Sequence, residues 1–239
     1  MDIDLSTSTD ILDIYCELFR IQAIFMKDYR EFSRNYAVSI MIFMPIVIGF
    51  LYNKIGFDLD ILSLLIIAFT LGIVTTFIQA SFIAEEKERN TLRSLLLSPA
   101  SLLDILIGKS LLVALITIFT LGVSFLIISF VPNTVYIIGI LLCILFYCAL
   151  GIICGLFANS TLEATYTILP VIIIFAFSGF YLEFKEGFPI LKVMQWLPSS
   201  QLTEIATGNN LATAFIVIIL WLVVSWVIAI LLCKRRMVD

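Results

Sequence analysis

Histidine is absent from the 239 residues, which argues against imidazole-based catalysis and against the usual zinc sites. Charge is scarce: 13% of residues are Asp, Glu, Lys or Arg, where a soluble chain carries roughly twice that share. Cysteine amounts to Cys16, Cys143, Cys148, Cys154 and Cys233. They lie in or beside apolar runs without metal-ligand spacing and read as reduced, packed small hydrophobes. No Asp, Glu, Lys or Arg falls in the middle of an apolar run, the placement that marks ion and proton pathways, so a proton- or sodium-coupled carrier is disfavoured. Residues 1–9 lack the basic start and apolar core of a signal peptide and read as a disordered tail. What is present in quantity is apolar surface. With 62% hydrophobic residues and a mean hydropathy of +1.13, a soluble globular fold is excluded and an all-α polytopic membrane protein follows. The net charge of −4 says little about partners, because charge sign in such a chain is distributed by membrane side.

Residues 10–35 repeat apolar side chains at a period near 3.6, from Ile11, Ile14, Tyr15, Leu18 and Phe19 to Gln22, Phe25, Met26, Tyr29 and Phe32. Arg20, Lys27, Arg30 and Arg34 fall mostly elsewhere on the wheel, so this is an amphipathic helix lying in the headgroup plane. The remaining 36–239 form a six-span transmembrane domain, with spans at about 36–53, 60–84, 105–131, 134–158, 165–182 and 211–233. Val131-Pro132-Asn133-Thr134 leaves room only for a tight hairpin between spans 3 and 4. Eleven of the basic residues share one side under this topology and Lys54, Lys185 and Lys192 take the other. The excess of Lys and Arg puts both termini in the cytoplasm of a multi-pass protein of the cell membrane. The segment 183–210 is too apolar for a free loop and reads as two short helices dipping back from the outer face, Ser199 and Ser200 capping the second. A peripheral amphipathic helix is the other reading.

The longest charged interruption is 85–109, EEKERNTLRSLLLSPASLLDILIGK. Charged Glu85, Glu86, Lys87, Glu88, Arg89 and Arg93 precede Leu95-Leu96-Leu97, a Ser98-Pro99 stop, and a Ser101-x-x-Asp104 capping box ahead of the next span. In order and spacing, the acidic cluster with Arg89, Asn90-Thr91, Leu95-Leu96, Ser98-Pro99 and Gly108-Lys109 resembles the loop between the second and third membrane helices of type-2 ABC permeases. Where that family usually has Gly-Thr, this chain has Asn90-Thr91; Asn is the next residue suited to a left-handed backbone, so the same turn stays open to it.

That resemblance implies a permease subunit of an ABC exporter. The cytoplasmic coupling helix between spans 2 and 3 would dock on the ATPase through Glu85, Glu86, Arg89, Asn90, Thr91, Leu92, Arg93, Leu95 and Leu96. Residues 10–35 would be the connecting helix, and re-entrant helices would stand between spans 5 and 6. It implies an ABC ATPase subunit as partner, holding ATP and Mg, and a second permease copy or paralogue. Lys87 would sit at the interface rim, where truncation costs little.

This chain offers no catalytic residue and no metal site of its own. Gly108-Lys109-Ser110 echoes a P-loop, but Leu103 stands where its first Gly is required. Lys109, at a membrane boundary, reads instead as a snorkelling anchor. Ala68, Gly72, Thr75, Thr76 and Gln79 share one face of span 2 and either line a cargo path or pack closely. Gly151 and Gly155, with Ala158 beyond, form a packing groove on span 4, and Pro45 and Pro170 are expected to kink spans 1 and 5. Bulky Phe43, Phe50, Phe175, Phe177 and Phe180, with no fixed charge between them, point to an amphiphilic or hydrophobic cargo. Family analogy makes an antimicrobial or cytolytic peptide the first choice. A channel or uncoupled carrier, and a non-transporting membrane assembly or sensor subunit, are the other classes open to such a chain.

Overall fold

Long apolar runs begun by capping side chains set the elements of this protein. A computed structural model describes residues 5–56, 58–91, 101–180, 189–208 and 210–238. Helix α1 (Leu5–Arg34) is followed by the apolar α2 (Ile40–Ile55), α3 (Leu59–Glu88), α4 (Leu102–Ile128), α5 (Thr134–Phe157) and α6 (Thr161–Phe180). A 3-10 turn at Pro189–Trp196 leads to α7 (Pro198–Thr207) and α8 (Leu211–Val238). No strand occurs among the described residues.

Local chemistry accounts for the starts and stops. Asp58 Oδ1 accepts the Asp60 and Ile61 amides at the head of α3. Ser101 and Asp104 close the expected capping box at the head of α4. Asn133 caps α5 four residues after the turn at Ser129, which takes φ 55°. Ser160 caps α6. At α7 the expectation fails: Pro198 occupies the first helical position, and neither serine caps. Both point inward instead, Ser199 to the Tyr147 hydroxyl at 2.7 Å and Ser200 to the Ser178 carbonyl at 2.6 Å.

Among the described residues five helices, α3, α4, α5, α6 and α8, are long and apolar enough to cross a membrane. The expected first span is shorter. Between Tyr36 and Ile55 the chain changes from a single α turn to a 3-10 turn before regular helix resumes at Phe43, leaving Ile40–Ile55 as the apolar stretch. The helix that was expected from Asp10 starts at Leu5, so part of the expected tail is helical.

Helix α5 is the centre of the bundle, with Phe146, Tyr147 and Cys148 fully buried between α3 on one side and α8 on the other. Its glycines explain the close approach. A Cβ on Gly151 would lie 2.6 Å from that of Gln79, and one on Gly155 would lie 2.7 Å from the Ala80 carbonyl oxygen, so these positions pack helices. Two wide π-helical stretches, Thr70–Phe77 in α3 and Ile172–Ala176 in α6, face each other across Gly72. The second follows Pro170, whose missing N–H and bulky ring disrupt a regular turn. In the first, Thr75 and Thr76 hydroxyls donate to carbonyls five residues back.

Candidate functional site

The charged end of the bundle is where α1, the end of α3 and the start of α4 meet. Glu85, Glu86, Lys87 and Glu88 are the last turn of α3 and continue its helix directly. Asn90, just past the end, takes the left-handed conformation at φ 57°, the turn its side chain tolerates best after Gly. The Thr91 hydroxyl donates back to the Glu86 carbonyl at 3.2 Å. Leu92, Arg93, Leu95 and Leu96, the apolar part of the expected coupling helix, lie outside the described residues.

Lys109 corrects the snorkelling reading. Its side chain is 0% exposed, and its ammonium sits 3.2 Å from Asp28 Oδ2 and 2.9 Å from Glu86 Oε2. The Glu86 contact is an ion pair more than an aligned hydrogen bond. Asp28 and Glu86 are themselves 1% and 2% exposed. Lys27 donates to the other Glu86 oxygen and lies 3.8 Å from Glu31, while Arg20 approaches Asp104 at 3.8 Å. A lysine reaches water from a membrane boundary only where nothing covers it, and here α1 does.

The close crossing that makes this cover follows from Gly108. A Cβ there would lie 3.0 Å from Ile24 Cγ2 and 3.3 Å from the Ile21 carbonyl oxygen. Gly108-Lys109 thus gives α1 a notch to cross and a charge to hold Asp28. The face of α1 turned to the bundle carries Ile24 and Asp28, while Leu18, Phe19, Met26 and Tyr29 of the expected apolar stripe are exposed. Asp28 was the missed signal: it stands four residues after Ile24, an acid in helical register with a buried apolar residue.

Asp28, Glu31 and Glu86 bring carboxylate oxygens within 4.8 Å of one another, close enough to surround a cation. Two ammonium groups, Lys27 and Lys109, already take that role. Burial raises the Asp28 carboxyl above its ordinary range against the pull of Lys109, and burial likewise raises that of Glu31.

The rest of the cluster ties helices together. Arg89, exposed, pairs with Glu85 at 2.6 Å, and Asn35 donates to Glu85 at 3.4 Å. Glu88 accepts the Thr161 amide at 3.0 Å. Lys87 is no idle rim charge: its ammonium donates to the Leu156 and Ala158 carbonyls at 3.0 and 2.6 Å, satisfying the C-terminal end of α5.

The second candidate set lies deeper. Ala68, Gly72, Thr75, Thr76 and Gln79 are all buried within the single chain. Thr75 shares a 2.9 Å hydrogen bond with Thr117 of α4, and Gly72 is closed by Ile172 and Ala176. Neighbouring helices of the same chain cover this face. Neither polar atom of the Gln79 amide has a partner.

Over residues 20–211 the chain matches the family model described as ABC-2 type transporter. The chain belongs to the ABC-2 type transporter family. It is therefore a permease subunit of an ABC transporter, a multi-pass membrane component that is itself non-catalytic. Permeases of this family normally work with an ATP-binding partner. No curated protein matches this permease in sequence comparison.

Proposed function

We propose that this permease forms half of the membrane part of an ATP-driven exporter, paired with a second copy or paralogue and powered by two separate ATPase subunits that hold ATP and Mg. Six crossings complete it, α2 being a short first span beside the five longer helices, with both termini and the Glu85 end in the cytoplasm. The observation that carries this reading is the buried ionic joint of Asp28, Lys109, Glu86 and Lys27. It fastens the interfacial helix α1 to the ends of α3 and α4, so a push on the segment joining those two helices moves α1 and both spans together. A solvated loop has no use for a buried ammonium group held between two buried carboxylates. Glu85, Glu86, Arg89, Asn90, Thr91, Leu92, Arg93, Leu95 and Leu96 supply the ATPase contact, the leucines as apolar anchors and the charges as orienting pairs.

The cargo on this reading is amphiphilic or hydrophobic, an antimicrobial or cytolytic peptide first. A groove of about 390 Å³ between the end of α3, the start of α6 and the chain before α2 supports it, with Val38, Met41 and Phe77 in its wall and Glu85, Glu88 and Arg89 beside them. The test is a pull-down of the ATPase beside ATP-dependent uptake into inside-out vesicles. Arg89→Glu and Leu95→Ala are each expected to abolish uptake and weaken ATPase capture while inserting normally. Full uptake by both variants would refute the coupling assignment.

A further inference from the structure

Helices α1, α2 and α4 together line an apolar groove of about 510 Å³. It shares no lining residue with the groove beside Glu85. Helices α2 and α4 approach closely at Gly49, where a Cβ would lie 3.9 Å from the Ser124 carbonyl oxygen. On the α1 side of that crossing the groove follows α4 from Phe119 to Leu112, a rise of about 10 Å. Phe25 and Phe32 of α1 complete the wall, Phe32 being held edge-on to Phe82 with ring centres 6.2 Å apart. Among the described residues Ser39 and Tyr29 are the polar side chains of this wall. The Ser39 hydroxyl is already committed to the Phe32 carbonyl at 3.0 Å, and Tyr29 is an exposed residue. The wall therefore suits hydrocarbon.

Two observations say what covers it. Phe43 and Phe119, both in the wall and both exposed, belong to apolar helices of a multi-pass membrane protein, so the medium beside them is lipid. Half of a hydrocarbon core is about 15 Å deep, and a groove of about 10 Å that starts at α1 fits within one leaflet. The second observation is the order of residues around α1. Leu18, Phe19, Met26 and Tyr29 are exposed and fall within an arc of about 100° at helical spacing. Phe25 and Phe32 border that arc on the groove side, and Arg30 and Arg34 border it on the other. Both arginines are exposed, and neither forms an ion pair among the described residues.

We propose that this groove holds an acyl chain of one anionic phospholipid, drawn from the leaflet on the α1 side. The chain lies against Phe25, Phe43 and Phe119, the glycerol region crosses the exposed apolar arc of α1, and Arg30 beyond that arc donates N–H groups to the phosphate. A guanidinium matches phosphate in fork geometry and keeps its charge at any working pH. A zwitterionic lipid brings a cationic headgroup to the same arginines, whereas each basic residue near the surface favours an anionic lipid by about fivefold. The volume lies in the ordinary range of ligand sites, about 300–1,000 Å³. The inference rests on the placement of the chain in a membrane and is independent of cargo, direction and ATPase contact.

The test uses the full chain in phosphatidylcholine nanodiscs with a trace of phosphatidylglycerol carrying a diazirine on its acyl chain. After illumination, peptides of residues 25–32, 39–46 and 112–119 should be labelled more strongly than the exposed face of α8 at Ile216, Leu220 and Leu231, which reports ordinary boundary lipid. Unlabelled phosphatidylglycerol should displace the groove label about tenfold better than phosphatidylcholine, and Arg30→Glu should reduce that advantage to about twofold or less. Ile46→Trp fills the groove and should abolish labelling there while α8 is labelled as before. Arg30 is exposed, so its variant tests the headgroup contact without disturbing the core. Labelling no stronger than on α8, equal displacement by the two lipids, or an advantage unchanged by Arg30→Glu would overturn the site. A disulfide between two copies of a Phe119→Cys variant, formed with the groove unlabelled, would assign this face to a second copy of the chain and overturn it as well.

Discussion

Removing Lys109 is the sharpest perturbation the structure offers. Two unit charges about 3 Å apart attract by about 5 kcal/mol at an effective dielectric constant near 20, and desolvation opposes much of that gain. Lys109 has two such neighbours, Asp28 and Glu86, all three nearly inaccessible. In Lys109→Met the volume is kept, Glu86 retains Lys27, and Asp28 loses the partner it contacts. Breaking a buried pair on one side costs about 3–5 kcal/mol, so Lys109→Met should fall in that range. Asp28→Asn leaves Lys109 with Glu86 and should cost less, about 1–3 kcal/mol. In the double variant the uncompensated acid is gone, so the two effects should fail to add by about 2 kcal/mol or more. Unfolding of the four proteins in mixed micelles measures the cycle. Additivity within about 0.5 kcal/mol would mean the pair is not coupled, and the joint would lose its standing. The pH response gives a second check. A carboxyl raised by burial adds stability below its unfolded value and loses it as pH rises through the folded one. Lys109→Met removes the countercharge and raises Asp28 further, so this variant should regain stability on acidification from neutral pH, while the Asp28→Asn double variant should not.

Gly108→Val forces a side chain into contacts of 3.0 to 3.3 Å with Ile24 and the Ile21 carbonyl; it should release α1, seen as new protease cleavage within residues 18–34, with α3 to α8 still folded. Lys87→Ala removes the ammonium that reaches the Leu156 and Ala158 carbonyls at the α5 terminus and should destabilise by about 1–3 kcal/mol in the same unfolding assay, whereas a null effect would restore the rim reading. Gln79→Met replaces an unpartnered buried amide with an apolar chain and should be neutral or stabilising by about 1 kcal/mol with transport unchanged; lost transport at full stability would return this face to the cargo path. Cysteines at Arg89 and Val131, exposed at opposite ends, should differ toward an impermeant thiol reagent in intact cells, with Val131→Cys alone reacting; the reverse pattern would invert the proposed orientation.

The amino-acid sequence by itself determined what depends on neighbours along the chain. Composition made this a membrane protein, because apolar runs of this length have no stable exposure to water. The helices α3, α4, α5 and α8 fall near their expected places, and the Ser101–Asp104 box and the left-handed Asn90 follow from side chains acting within a few residues. Spacing along the chain gives no measure of what lies 81 residues away. That is the separation of Asp28 and Lys109, and only the crossing of α1 over Gly108 turned an apparent surface lysine into a buried counter-ion. The same holds for the face of α1 that meets the bundle, for Lys87 at the end of α5, and for the polar face of α3. Each looks amphipathic or solvated when the helix is considered alone. Tertiary packing decided which of these groups water could still reach, and with that which charges had to find partners inside the protein.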